Sequence, residues 1–251
     1  MASLEITEDF VENVQKEVNL FIWEGKKPKI KQKVAYQSIE KGGLAIPNIE
    51  LFVKANRATW IKRLLMVNNR CTQYLAMFLP KMDFSHFIKC NYNPTDLPQE
   101  TPRFYHQVLF AWFNFKKEPQ TSLDIRREFI VFNQHISIDN KYLYNENLIL
   151  NKTVMINDFF YADGKPLSYN DFTEKNGNII SFFKHMAIID AIPKKWRKTL
   201  RNQAVNPICC NIDEQPVCHI TKTIHRNVFI ITSRELYWTM LNEKILIPSC
   251  I

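Results

Sequence analysis

Glycine is nearly missing from this chain, with five among 251 residues. Dinucleotide-binding α/β folds spend glycines on tight turns and close backbone approach, so that class is disfavoured and stiffly connected helices are favoured. No run of about eighteen apolar residues occurs, so nothing reads as a membrane span. Met1-Ala2-Ser3-Leu4-Glu5-Ile6 lacks the basic and apolar regions of a secretory signal. The six cysteines (Cys71, Cys90, Cys209, Cys210, Cys218, Cys250) are scattered, which points to reduced, mostly buried thiols and a cytoplasmic or nuclear protein. G-x-S-x-G, G-x-x-x-x-G-K-[ST] and H-E-x-x-H are all absent, and with them the serine hydrolase, P-loop and zincin signatures.

What is present is apolar and aromatic. Hydrophobic residues make up 46% and the chain holds 18 Phe, enough for a packed core and too much for a disordered chain. Its length suits one large domain or two modest ones. Phe10, Val11, Val14, Val18, Phe21 and Ile22 recur at spacings of three and four and predict an amphipathic helix over 7–23, stopped by Gly25 and Pro28. Asn48 caps a second helix to about residue 66, with Leu51, Phe52, Ala55, Ala58, Ile61, Leu64 and Leu65 inward. Further helices are expected over 72–79, 102–115, 155–161, 169–175, 179–189, 193–200 and 233–243. The proline-rich stretch 91–102 reads as irregular, and Ile136-Ser137-Ile138 and Leu148-Ile149-Leu150 as short strands.

Positive charge is focused in two places. Lys26, Lys27, Lys29, Lys31 and Lys33 fall within eight residues. From Lys27 on they alternate with Pro28, Ile30 and Gln32, which in an extended strand puts the lysines on one face. Gly42-Gly43 and Leu44-Ala45-Ile46-Pro47 would complete a β-hairpin over 29–46. Lys194, Arg197, Lys198 and Arg201 follow helical spacing and form a cationic stripe, beside Lys195 and opposite Ile192, Trp196 and Leu200. Each cluster holds five cations, ten in all, against a net charge of +8, so the remainder is slightly acidic. Such rows suit a phosphate backbone; the competing readings are a charged strand edge and a solvated helix face. Trp60 shares its helix with Lys54, Arg57, Lys62 and Arg63 and is a candidate to stack a base beside phosphate-binding cations. Trp23, Trp112, Trp196 and Trp238 read as core. His106 and His185 are isolated and read as structural.

Cys209, Cys210, Cys218, His219 and His225 are the right residue types for zinc. Their spacing, C-C-x7-C-H-x5-H, fits no standard finger, and adjacent cysteines do not readily chelate one ion. No metal and no cofactor are assigned.

Phe21-Ile22-Trp23-Glu24-Gly25-Lys26-Lys27-Pro28-Lys29-Ile30-Lys31, then Glu40-Lys41-Gly42-Gly43-Leu44-Ala45-Ile46-Pro47-Asn48-Ile49, Lys54-Ala55 and Trp60-Ile61-Lys62-Arg63, resembles the region just downstream of the polymerase core in LINE-type (non-LTR) retrotransposon reverse transcriptases of animals. Asp163-Gly164-Lys165-Pro166-Leu167-Ser168-Tyr169-Asn170-Asp171-Phe172 and Ala191-Ile192-Pro193-Lys194-Lys195-Trp196 are similar to later patterns of that region. The likeness covers roughly residues 8–203. It implies a thumb-like part holding RNA or DNA, a helical C-terminal module, and the upstream polymerase domains as partners. It also implies that the polymerase aspartates lie upstream of this block, so the chain is expected to be a non-catalytic fragment, with the helix of Phe10 and Ile22 left with an exposed apolar face. Tyr161-Ala162-Asp163-Gly164 matches the polymerase signature in three letters, but two-metal chemistry needs a second carboxylate where Gly164 stands. Asp163-Gly164 reads as a turn.

The sequence therefore predicts a mainly α, irregular helical assembly with a short β-hairpin at 29–46 and minor strands near 136–150. Its parts are 1–117, 118–203 and a poorly patterned tail, 204–251. The expected activity is nucleic-acid backbone binding without catalysis. The alternative is a helical protein-interaction scaffold or an inert retroelement remnant.

Overall fold

A computed structural model of the protein describes residues 6–66, 70–116, 118–203, 217–219, 225–227 and 231–246. The fold is mainly α-helical. In chain order the helices begin with α1 (Glu8–Ile22), α2 (Gln32–Tyr36), α3 (Ile49–Thr59), α4 (Ile61–Leu64), α5 (Arg70–Leu75) and α6 (Phe84–Phe87). They continue with α7 (Arg103–Phe115), α8 (Ser122–Arg127), α9 (Glu146–Leu150), α10 (Tyr169–Asn176), α11 (Phe182–Ala191), α12 (Lys194–Asn202) and α13 (Ser233–Leu246). Two antiparallel pairs join β1 (Ser137–Ile138) to β2 (Lys141–Tyr142) and β3 (Val217–His219) to β4 (His225–Asn227).

Two compact units interleave along the chain. The first takes Met1–Val67, Thr101–Phe115 and Val217–Ile251; the second takes Asn68–Glu100 and Lys116–Pro216. This partition departs from the expected blocks 1–117, 118–203 and 204–251 because α7 and α13 both return to pack on α3.

In the first unit, Thr7 caps α1 by accepting the Phe10 N–H, and Glu8 and Asp9 complement the positive helix end. Gly25, at φ +72°, closes α1 by donating its N–H to the Leu20 carbonyl (3.0 Å). The helix packs on α3, and the Gln15 side-chain oxygen accepts the Ile49 N–H (2.9 Å). None of its residues is fully buried, and Phe10, Leu20 and Phe21 stand in solvent. Asn48 caps α3 through the Leu51 N–H (2.9 Å). The single helix expected over 48–66 divides at Trp60, whose N–H reaches the Arg57 carbonyl (3.0 Å) in a tightened turn. Ala35, Tyr36, Ile46, Leu51 and Leu241 form a core cluster, with Trp23, Ile30 and Trp238 packed against it.

The hairpin expected at 29–46 is not formed. Residues 32–36 are helical, and Ile39–Lys41 is a 3-10 turn. A strand would turn Ala35 and Tyr36 to opposite faces, whereas the helical turn that the chain adopts buries both in the same cluster. The chain still reverses after Gly42, at φ +77°, and Ile46 donates back to the Ala35 carbonyl (3.0 Å). Gly43 passes so close to Gln37 that a Cβ would lie 2.1 Å from the Gln37 carbonyl oxygen.

In the second unit, β1 falls within the strand expected at 136–138. The strand expected at 148–150 is helix α9 instead, because Asn145 accepts the Leu148 N–H (3.0 Å) and caps a turn there. Residues Ile156–Phe159 form a 3-10 turn where a helix was expected. α8 carries a capping box between Thr121 and Asp124. Phe159 and Phe172 stack at 5.0 Å, and the ring of His185, 1% exposed, packs against both.

Candidate nucleic-acid interface

The first cluster lies in the irregular segment after α1 and runs into α2. Lys26, Lys27, Lys29, Lys31 and Lys33 are all exposed. Ile30 alone turns inward among them, so the alternation read from the sequence survives locally around Lys29 and Lys31. Lys26 pairs with Glu24 (3.1 Å), both side chains largely in solvent. Lys27, Lys29, Lys31 and Lys33 carry no ion pair among the described residues. Helix α2 places Lys33 on a turn rather than on a continuing strand, so the row is shorter than the spacing implies.

The row expected around Trp60 does not assemble. Lys54 is exposed and bonded to Glu50 (2.6 Å). Arg57 is only 8% exposed, its guanidinium lying 4.4 Å over the Phe104 ring. Trp60 meets the same ring edge-on at 4.9 Å, and Arg63 covers Trp60 at 4.4 Å. Lys62 is half-buried; desolvation pulls its pKa down, opposed by the Glu235 carboxylate. These aromatic and cationic groups pack against one another. Trp60 is a packing residue and Arg57 an internal one, which removes both as ligands for an external strand.

The second cluster is better organised. Trp196 (1% exposed) and Leu200 bury one face of α12, while Lys194, Lys198 and Arg201 are exposed on the other, without an ion pair among the described residues. Arg197, flanking that ridge, is drawn toward Asp190 (3.6 Å), and Lys195 toward Glu118 (3.4 Å). The helix is held by a turn. A Cβ on Gly164, at φ +80°, would meet the Leu200 carbonyl oxygen at 2.1 Å, so the turn 161–165 abuts the end of α12. Arg126, buried, donates to the carbonyls of Tyr161 and Ala162 (both 2.9 Å) and to the Asn157 side-chain oxygen (3.2 Å). A buried guanidinium with three such acceptors fixes that turn. Sequence reasoning missed Arg126 in this role; the capping box beginning at Thr121 was the signal that could have placed its helix.

Tyr161-Ala162-Asp163-Gly164 is a turn in the structure. Tyr161 accepts the Gly164 N–H (3.0 Å) and donates to the Lys165 carbonyl (2.9 Å). The Lys165 N–H, and then its ammonium group, hold the Asp163 carboxyl below the usual range. Asp158 accepts the Met155 N–H (2.9 Å), while Ser168 and Tyr161 both donate to Asp171. Among the described residues no group of three or more His, Cys, Asp or Glu could hold a metal ion. Of the candidate zinc ligands, Cys209 and Cys210 lie outside the described residues. Cys218 faces Arg226, and His219 faces His225, in the backbone register of β3 and β4. Trp112 is buried and Trp23 and Trp238 half-buried, and His106 stacks on Phe110. No described helix is long and apolar enough to cross a membrane.

Set against known proteins, the chain matches no family model, no curated protein and no solved structure.

Proposed function

We propose that this protein binds RNA or DNA through the phosphate backbone, without catalysis, in the manner of the post-polymerase region of a LINE-type reverse transcriptase. The observation that carries the reading is the α12 ridge: Lys194, Lys198 and Arg201 exposed, and without an ion pair among the described residues, on a helix anchored by Trp196, Leu200 and the Gly164 turn. Cations fixed on a rigid face lose little order on meeting a polyanion. Lys27, Lys29, Lys31 and Lys33 supply a separate group on the other unit. Backbone contact of this kind is tolerant of sequence, since phosphates carry no base identity.

The test is the salt dependence of binding to single strands, duplex and RNA–DNA hybrid. Each phosphate contact adds about 0.7 to 0.9 to the slope of log K against log salt. Lys194→Glu/Lys198→Glu/Arg201→Glu and Lys27→Glu/Lys29→Glu/Lys31→Glu are each expected to flatten that slope by about two or more. A wild-type slope near zero for every nucleic acid defeats the reading. The scaffold alternative draws on the exposed Phe10 and Leu20 of α1, and predicts instead a defined protein partner whose binding survives salt.

A further inference from the structure

We infer that Phe21 is a base-stacking platform, and that the first unit therefore takes single-stranded nucleic acid in preference to duplex; this rests on the backbone-binding reading above. Phe21 lies on the last turn of α1 and is 85% exposed, the most exposed aromatic ring among the described residues. Its helical spacing put it on the apolar face, yet while Val18 and Trp23 pack inward the Phe21 ring is left in solvent. The chain then folds back: Gly25 donates to Leu20 (3.0 Å) and Lys26 to Trp23 (2.8 Å), which returns the lysine segment to the helix end bearing Phe21. A bare ring on the helix turn from which the exposed Lys27, Lys29 and Lys31 segment departs supplies the two elements that hold a single strand, a π-face for a base and cations for its backbone. A duplex keeps its base faces stacked and offers the ring nothing.

The same ring could insert into an anionic lipid surface, but the rest of α1 opposes that. The helix holds Glu8, Asp9, Glu12 and Glu17 against the single cation Lys16, where a membrane-surface helix carries basic residues on its polar face. A strand crossing only the C-terminal end of α1 avoids Glu8, Asp9 and Glu12 in the first turns. Trp60, the ring expected to stack, has its face covered by Arg63.

The experiment uses the full chain at low salt, with a single-stranded oligonucleotide carrying 2-aminopurine and its duplex, both titrated against wild type, Phe21→Ala and Phe21→Trp. Phe21→Ala is expected to weaken single-strand binding about 5- to 100-fold, leave duplex binding unchanged and abolish the 2-aminopurine fluorescence change, while Phe21→Trp retains all three. If Phe21→Ala binds the single strand like wild type while Lys27→Glu/Lys29→Glu/Lys31→Glu does not, the stacking assignment fails and the backbone reading stands. If wild type binds no nucleic acid in a salt-dependent way, both fail. Loss of binding to phosphatidylserine vesicles by Phe21→Ala, with oligonucleotide binding intact, assigns the ring to a membrane and overturns the proposal.

Discussion

Gly164 and Leu200 approach so closely that a single added carbon would sit 2.1 Å from the Leu200 carbonyl oxygen. The contact is between backbones, so no side-chain movement relieves it. Gly164→Ala combines this overlap with a left-handed φ of +80°. Strain of this kind together with overpacking costs about 2 to 4 kcal/mol. Urea unfolding of the second unit should show a clearly lower midpoint, and binding through α12 should weaken with it. An unchanged midpoint would mean that the turn does not brace the helix.

Arg57 stabilises the first unit from within. Arg57→Lys keeps the charge but loses the planar guanidinium over Phe104, a change expected to cost about 1 to 2 kcal/mol. Denaturation should register that loss, whereas the salt slope of nucleic-acid binding should not move. A slope falling by nearly one would place Arg57 on a phosphate instead.

His185 makes the second unit sensitive to mild acid. Burial among Phe159, Phe172 and Tyr169 holds its pKa below the usual histidine range, and neither ring nitrogen has a hydrogen-bond partner among the described residues. The folded state therefore holds the neutral ring while the unfolded chain takes up a proton. The stabilisation from His185 is complete above about pH 6.5 and is lost as pH falls toward the lower folded value. Asp158 and Glu128, both raised by burial, act in the opposite direction, so the measurement is a difference. Urea midpoints between pH 8 and pH 5 should fall less for His185→Phe than for wild type. Parallel curves would remove the histidine as the cause.

Glu24 is the carboxylate nearest the lysine segment in sequence, and its pair with Lys26 is solvent-exposed. Such pairs contribute about 0 to 1 kcal/mol to stability. Glu24→Gln should leave the unfolding midpoint almost unchanged while tightening oligonucleotide binding a few-fold at low salt, with a slope steeper by about one. Fluorescence anisotropy at two salt concentrations separates these expectations.

Much of the helical content was legible because its signals are local. Asn48 caps as read, and α7 and α12 follow from apolar or cationic spacing along a single face. The hairpin failed for a reason equally plain. Alternating lysines describe where charge falls, but the conformation was decided by Ala35 and Tyr36 entering one cluster with Leu241, a residue far along the chain. Arg57 looked like a surface cation until α7 brought Phe104 beneath it. The exposed apolar face expected of α1 is present, with Phe10, Leu20 and Phe21 in solvent, but a 3.6-residue rhythm marks the stripe without saying which of its residues a neighbour will cover. The cation clusters could be read; which cations remained available could not, since that depends on Asp190, Glu118 and Phe104 arriving from elsewhere.

Because α1 encloses no fully buried side chain, little apolar burial resists its release from α3. It is the segment expected to open at a small fraction of the free energy that unfolds the remainder, and its amide protons should exchange with solvent earliest. A bound strand gripping both Phe21 and the lysines beyond Gly25 would clamp that end shut. Slowed exchange across residues 8–22 would then record occupancy at a place where the polymer itself touches only one turn.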